Sequence, residues 1–155
     1  MAEAMLSPQP VKRYPKLPLL KISKRGRVNE SQETYRSSDM AYSYVEKMMK
    51  LDREEFWCLH LDTKNKLIGY EVVSVGSLNS SIVHPREVFK GLLLNNAAAV
   101  IFAHNHPSGD PTPSYEDKEI TTRLKAAGEL LGIRVLDHLI VGDGCYCSFA
   151  DRGEL

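Results

Sequence analysis

Two histidines separated by a single residue, followed a short loop later by an aspartate, are the residues of this chain best suited to chemistry. They stand in Ala103-His104-Asn105-His106-Pro107-Ser108-Gly109-Asp110 and in Ser114-Tyr115-Glu116-Asp117. The histidines close an apolar run, residues 97–103, that reads as a strand buried on both faces. Side chains two apart on a strand point to the same side, so both imidazoles aim one way. Two nitrogens on one side are a natural pair of zinc ligands. Pro107, Gly109, Pro111 and Pro113 then turn the chain back sharply. That return can bring Asp117, in the first turn of the next helix, to the same point as a carboxylate ligand. Two histidines and a carboxylate leave one corner of a tetrahedron open for water, the arrangement of catalytic zinc. A lone His-x-His is usually no more than a polar turn, and Ser-x-x-acid is also a helix-capping pattern. The combination at this spacing is what points to a metal.

The elements that must position these groups follow from periodicity. Met40, Tyr44, Val45, Met48 and Met49 are spaced for one buried helical face, with Ser38 or Asp39 as cap. Residues 56–61 and 67–75 read as the two strands of a hairpin about a turn at 62–66. Residues 77–81 read as loop. Pro85 suits the first turn of a second helix whose apolar face is Val88, Phe89, Leu92 and Leu93. Ser114 starts a third helix with Ile120, Leu124, Ala127 and Leu131 on one side, and Gly132 sits where a C-terminal cap is expected. Residues 133–141 and 146–149 read as the last strands, joined by Gly142-Asp143-Gly144. Helices alternating with strands predict an α/β layered domain over residues 37–155. Residues 1–36 read as a proline-containing basic arm with a strand at 17–22.

His-x-His-Pro followed at this distance by Ser-x-x-Asp resembles the signature of the JAMM/MPN metalloproteases. Within that superfamily, His104-Asn105-His106-Pro107-Ser108-Gly109-Asp110 is similar to the RadC branch. So are Ser77-Leu78-Asn79-Ser80-Ser81-Ile82-Val83-His84-Pro85-Arg86-Glu87 and Arg134-Val135-Leu136-Asp137-His138. The resemblance implies a three-layer α-β-α domain with a mixed central sheet, the JAMM/MPN (cytidine deaminase-like) fold. It implies His104, His106 and Asp117 as zinc ligands, and Ser114 as the hydroxyl that polarises a substrate carbonyl or steadies an oxyanion. It also implies an upstream glutamate as general base, at the start of the strand after the first helix. The RadC pattern Glu-x-Phe selects Glu54, whereas superfamily members outside RadC select Glu55. Adjacent strand residues face opposite ways, so only one can reach the metal. The nearer relatives set the register, which makes Glu54 the expected base and Glu55 the alternative.

The chemistry so implied is zinc-dependent hydrolysis of an amide or isopeptide bond in a protein or peptide substrate. Zinc lowers the pKa of bound water to about 7, a glutamate moves the proton, and a hydroxyl donor stabilises developing charge. Asn105 stands where eukaryotic deubiquitinating members carry Ser or Thr, which argues against ubiquitin as substrate. Longer RadC proteins carry an N-terminal helical segment with helix-hairpin-helix character; the stretch before Ser38 is too short for it, so a short form is expected.

Composition narrows the alternatives. The chain has 155 residues, 43% of them hydrophobic, and a formal net charge of zero, which fits one globular domain. No apolar run approaches the ~20 residues of a membrane helix, and Met1 to Pro10 lacks a secretory pattern. Three cysteines, Cys58, Cys145 and Cys147, do not make a disulfide framework. A cytoplasmic protein is expected. From Lys12 to Arg27 positive charge accumulates on Lys12, Arg13, Lys16, Lys21, Lys24, Arg25 and Arg27 without an acid. Such a stretch is a solvated tail or a sequence-independent phosphate contact. The second reading, with the RadC name's link to DNA repair, yields the alternative of a DNA-associated accessory protein whose metal site is structural or inactive. A zinc deaminase would need His-x-Glu and Pro-Cys-x-x-Cys, and neither is present. His84, His138 and the Cys145-Tyr146-Cys147 pair read as structural, His138 bonding backbone within the core.

Overall fold

Strand Ala99–Asn105 is buried at every residue, because it lies in the middle of a sheet covered by helices on both faces. The computed structural model describes residues 34–76 and 83–155. The expected strand at 17–22, the basic stretch from Lys12 to Arg27 and the loop at 77–81 lie outside the described residues. The strands are β1 (Glu55–Leu61), β2 (Leu67–Val75), β3 (Ala99–Asn105), β4 (Arg134–Val141) and β5 (Tyr146–Ser148). The helices are α1 (Ser38–Val45), continued by a 3-10 turn (Glu46–Lys50), then α2 (Pro85–Leu94) and α3 (Tyr115–Leu131). Strand order is β2-β1-β3-β4-β5. β3 and β4 are parallel and all other neighbours antiparallel. A parallel pair needs a crossover, and α3 supplies it.

Period two sorts the strands onto two cores. Trp57, Leu59, Leu61, Ala99, Ile101, Ala103, Leu139 and Val141 pack with Ala41, Val45 and Met48 of the α1 layer. Phe56, Cys58, Val100 and Phe102 pack with Val88, Phe89, Leu92, Ile120 and Leu124 of α2 and α3. The result is the expected three-layer α-β-α domain with a mixed sheet. One irregularity in β4 bears on the site. Val100 pairs with Val135, but Ile101 pairs with Asp137, leaving Leu136 as an extra residue. This bulge reverses the phase of everything after it. It turns Asp137 toward the α1 core and His138 toward the face that carries His104.

Three helical expectations need correction. The face α1 buries is Ser38, Ala41 and Val45, with Met40, Tyr42 and Tyr44 only half-buried. Small residues let the helix approach the sheet, and the tyrosines cover its rim. The N-cap of α1 is Ser37, whose side chain makes no capping bond. Ser38 instead donates to Asp151 Oδ2 at 2.5 Å, and Asp39 accepts from the Tyr146 hydroxyl at 2.5 Å. Leu93 and Leu131 are 50% and 44% exposed, because each helix turns them past the edge of the core. The other two helices are capped. His84 Nδ1 accepts from the Arg86 amide at 3.1 Å, with Pro85 at the first position of α2, and Gly132 ends α3 at φ 70°. Gly128 lets α3 lie directly on the chain entering β4: a Cβ there would stand 2.6 Å from the Ile133 carbonyl oxygen.

Candidate metal centre

β3 delivers the two histidines as period two requires. His104 is the penultimate residue of the strand and 1% exposed. His106 follows just beyond it, its amide donating to the Val141 carbonyl at 2.9 Å so that the loop leaves the sheet alongside β4. The loop returns through a second tie, from the Asp143 amide to the Gly109 carbonyl at 2.9 Å. Gly142 makes room for this crossing, since a Cβ there would lie 2.3 Å from the Gly109 oxygen.

The N-terminus of α3 then meets the histidines. Ser114 and Asp117 form a reciprocal capping box. The Ser114 hydroxyl accepts from the Asp117 amide at 3.1 Å and donates to Asp117 Oδ2 at 2.6 Å, while the Ser114 amide donates to the same oxygen at 2.7 Å. The box locks the carboxylate's orientation. Asp117 Oδ1 lies 3.0 Å from His104 Nε2, and Oδ2 lies 3.4 Å from His106 Nε2. The two Nε2 atoms are 3.1 Å apart. Among the described residues, His104, His106 and Asp117 form the one group whose ligand atoms all lie within 4.8 Å of one another.

Hydrogen bonds on the far side of the rings fix what these atoms offer. His106 Nδ1 lies 2.7 Å from the Asp110 carbonyl oxygen. A carbonyl only accepts, so His106 carries its proton on Nδ1 and turns a lone pair on Nε2 toward Asp117. A tetrahedral zinc at its usual bond lengths holds neighbouring ligand atoms about 3.3 Å apart, close to the 3.1 Å between the two Nε2 atoms and the 3.0 Å from His104 Nε2 to Asp117 Oδ1. The donor set therefore fits a divalent cation of this class. The electrostatics agree. Burial alone would raise the Asp117 carboxyl, but the imidazoles of His104 and His106 beside it and the Ser114 hydroxyl hold it well below the usual carboxylate range. The neighbouring Asp117 carboxylate raises His106, burial opposes it, and the Asp110 carbonyl and the charge of Glu54 add to the rise. A carboxylate kept ionised beside two imidazoles favours a cation in the same place.

The two glutamates part ways. The Glu55 carboxylate accepts from Trp57 Nε1 at 2.7 Å, on the face of the sheet that packs against α1. Glu54 is half-buried just before β1, two residues from Phe56, which pairs with His104 in register. Its charge is felt at His106. Asn105 grips the backbone on either side of it: Oδ1 accepts from the Glu55 amide and Nδ2 donates to the Arg53 carbonyl, both at 2.9 Å.

His138 departs from its expected backbone partner. It is fully buried, stacked on Phe149 and edge-on to Phe56 and Phe102. Its Nε2 lies 2.9 Å from His104 Nδ1 and its Nδ1 lies 2.6 Å from Thr121 Oγ1. Burial pushes its pKa well below that of an ordinary histidine. Thr121 joins the site without any motif in the sequence to mark it. Cys145 is exposed beyond the end of β4 and Cys147 is half-buried on β5.

The geometry coincides with relationships to known proteins. A family model described as RadC-like JAB domain matches residues 35–154. The chain is 57% identical over 117 residues to a UPF0758 protein of Moorella thermoacetica, covering 76% of this chain and 51% of that protein. It is 58% identical over 107 residues to a UPF0758 protein of Methanosarcina mazei, covering 69% and 47%. A UPF0758 protein of Desulfitobacterium hafniense is 55% identical over 117 residues, covering 76% and 52%. The chain thus spans about half the length of these relatives. No helix among the described residues is long and apolar enough to cross a membrane. With a mixed sheet, two histidines at the end of its central strand and a family match over nearly all the described residues, the chain belongs to the RadC family, with a RadC-like JAB domain at residues 35–154.

Proposed function

We propose that this domain is a zinc-dependent hydrolase, a metallopeptidase that cleaves an amide or isopeptide bond. The observation that carries the reading is the convergence of His104 Nε2, His106 Nε2 and an Asp117 oxygen on one point. His104, His106 and Asp117 would hold the ion. When bound, zinc supplies a Lewis acid and a water activated at neutral pH. Glu54 is the general base: it takes a proton from the attacking water and delivers it to the leaving nitrogen. Trp57 holds Glu55 on the opposite face of the sheet, which supports Glu54 over Glu55. Ser114 faces solvent at the rim of the site. To steady a substrate oxyanion it must turn its hydroxyl proton from Asp117 Oδ2 to the substrate.

The test has two arms. Metal analysis of the purified chain should find one zinc, absent from Asp117→Ala. A peptide library incubated with the zinc-loaded protein in ¹⁸O-water should acquire labelled new C-termini. Glu54→Gln should keep its zinc and lose about 10²- to 10⁴-fold in rate. A chain that binds no zinc, or labelling that Glu54→Gln leaves unchanged, overturns the reading. The alternative, a DNA-associated accessory protein, rests on the basic stretch from Lys12 to Arg27. It is distinguished by DNA binding that falls steeply with salt and survives His104→Ala.

A further inference from the structure

From the hydrogen bonds behind His104, we infer that His138 and Thr121 are positioning residues that fix His104 in the tautomer able to bind metal. The inference rests on the metal reading of the site and extends it to two residues that touch no ion. Thr121 Oγ1 lies 2.5 Å from the Asp117 carbonyl oxygen and 2.6 Å from His138 Nδ1. A hydroxyl has one proton. A hydroxyl and a carbonyl oxygen this close need that proton between them, since the carbonyl has none to give. Thr121 therefore donates to Asp117 and accepts from His138, which places the His138 proton on Nδ1. A neutral His138 then presents a lone pair at Nε2. His104 Nδ1, 2.9 Å away, must be the donor. The remaining nitrogen of His104, Nε2, is left with its lone pair facing Asp117 and His106.

The circuit begins at one ligand's ring and ends on the backbone of another, Asp117. It is closed to water at every internal position: His104 and His138 are buried, and Thr121 is 2% exposed. Phe56, Phe102 and Phe149 fix the plane of the His138 ring. The β4 bulge at Leu136 is what aims it here. Outer partners of this kind typically change metal affinity 10- to 100-fold. His106 needs no such relay, because a backbone carbonyl sets its tautomer directly.

The test uses the full chain. Long-range ¹H–¹⁵N NMR of the zinc-free protein should find His138 protonated at Nδ1. Zinc affinity, read by competition with a chromophoric chelator, should fall about 10- to 100-fold in Thr121→Val. Thr121→Ser should restore it, because the hydroxyl rather than the methyl carries the effect. Cobalt substituted into Thr121→Val should show a shifted visible absorption band, which a purely structural role would not produce. His138 protonated at Nε2 in the wild-type chain overturns the relay, as does a Thr121→Val that folds and binds zinc as tightly as wild type. The wild-type spectrum decides the matter even if the valine variant does not fold. A wild-type chain without zinc affinity is a failure of the metal reading. It is told apart from failure of the relay, which is read on His138 in the absence of metal.

Discussion

Asp137 and His138 are neighbours on β4, both fully buried, and they look in opposite directions. Asp137 faces the α1 layer. It accepts from the His138 amide at 2.7 Å, the Ser148 hydroxyl at 2.7 Å and the Ala150 amide at 3.0 Å, and from the Tyr35 hydroxyl at 3.4 Å. These bonds tie the end of the chain and the segment before α1 to the sheet. His138 faces α3 and meets the His104 ring through one bond and Thr121 of α3 through another. A buried carboxylate surrounded by donors is a fastener, whereas a buried imidazole passing one proton direction along a chain is an orienting device. Each is costly to bury and worthwhile only when all its bonds are made. Their separation to opposite faces means that damage to one should leave the other's role standing.

The largest effect expected on the fastening side is from Asp137→Ala. Its removal leaves two backbone amides and two hydroxyls without an acceptor, at a cost of about 3 kcal/mol or more. Denaturant unfolding should report this loss, while zinc stoichiometry at low temperature stays at one per chain. Loss of zinc with stability unchanged would mean that the two networks are one.

Acid titration sharpens the contrast because the two faces respond with opposite sign. Asp117 is held well below the ordinary aspartate value of 3.8. In the zinc-free protein its contribution to stability is present above that value and is lost as pH falls below it. Burial pushes Asp137 above 3.8, partly offset by the Ala150, Ser148 and His138 hydrogen bonds. Its contribution therefore favours folding at low pH and is lost as pH rises through its folded value. Asp117→Asn should flatten the acid limb of the stability curve, by at most about 1.4 kcal/mol per pH unit. Asp137→Asn should steepen it, because the gain from protonating Asp137 no longer offsets the losses elsewhere. Chemical denaturation of the metal-free variants between about pH 3 and 6, the range spanning ordinary carboxylates, measures both slopes. Slope changes of the same sign would refute the assignment of opposite roles.

Why one face is legible in the sequence and the other is not comes down to regularity. His104 and His106 share a face because the end of β3 is an unbroken strand, and the proline- and glycine-rich loop has little choice but to return. The hairpin, the Ser114 cap and the Gly132 stop are local features, settled within a few residues. His138 depends on the extra residue at Leu136, and nothing in Arg134-Val135-Leu136-Asp137-His138 distinguishes a bulge from simple alternation. Strict alternation would have put Asp137, and not His138, beside His104. Thr121 has an equally ordinary place in the helical pattern, and only the position of α3 over β4 gives its hydroxyl a partner. The buried face of α1 is hidden for a different reason. Large apolar residues mark a helix's hydrophobic side, but Ser38 and Ala41 are what close approach to the sheet permits.

Asn105 joins the two faces and gives the smallest, most specific effect. Its neighbours His104 and His106 point to the α3 side, so its own side chain falls on the other. There it bonds to the backbone at Arg53 and Glu55, with Glu54 between them. The clamp is on the fastening face, yet what it steadies projects to the other. Asn105→Ala leaves the ligands and their outer partners untouched, so zinc affinity should stay within about twofold. Stability should fall by about 1–2 kcal/mol for two lost bonds. If Glu54 is the base, turnover should drop up to about tenfold, with the loss in kcat and little in KM, because the carboxylate's placement is loosened without being removed. The double variant with Glu54→Gln then loses no further activity, since a clamp on a base that is no longer there has nothing left to hold. Additive losses would place Asn105 among the fasteners alone, and would leave Glu54 positioned by its own side of the sheet.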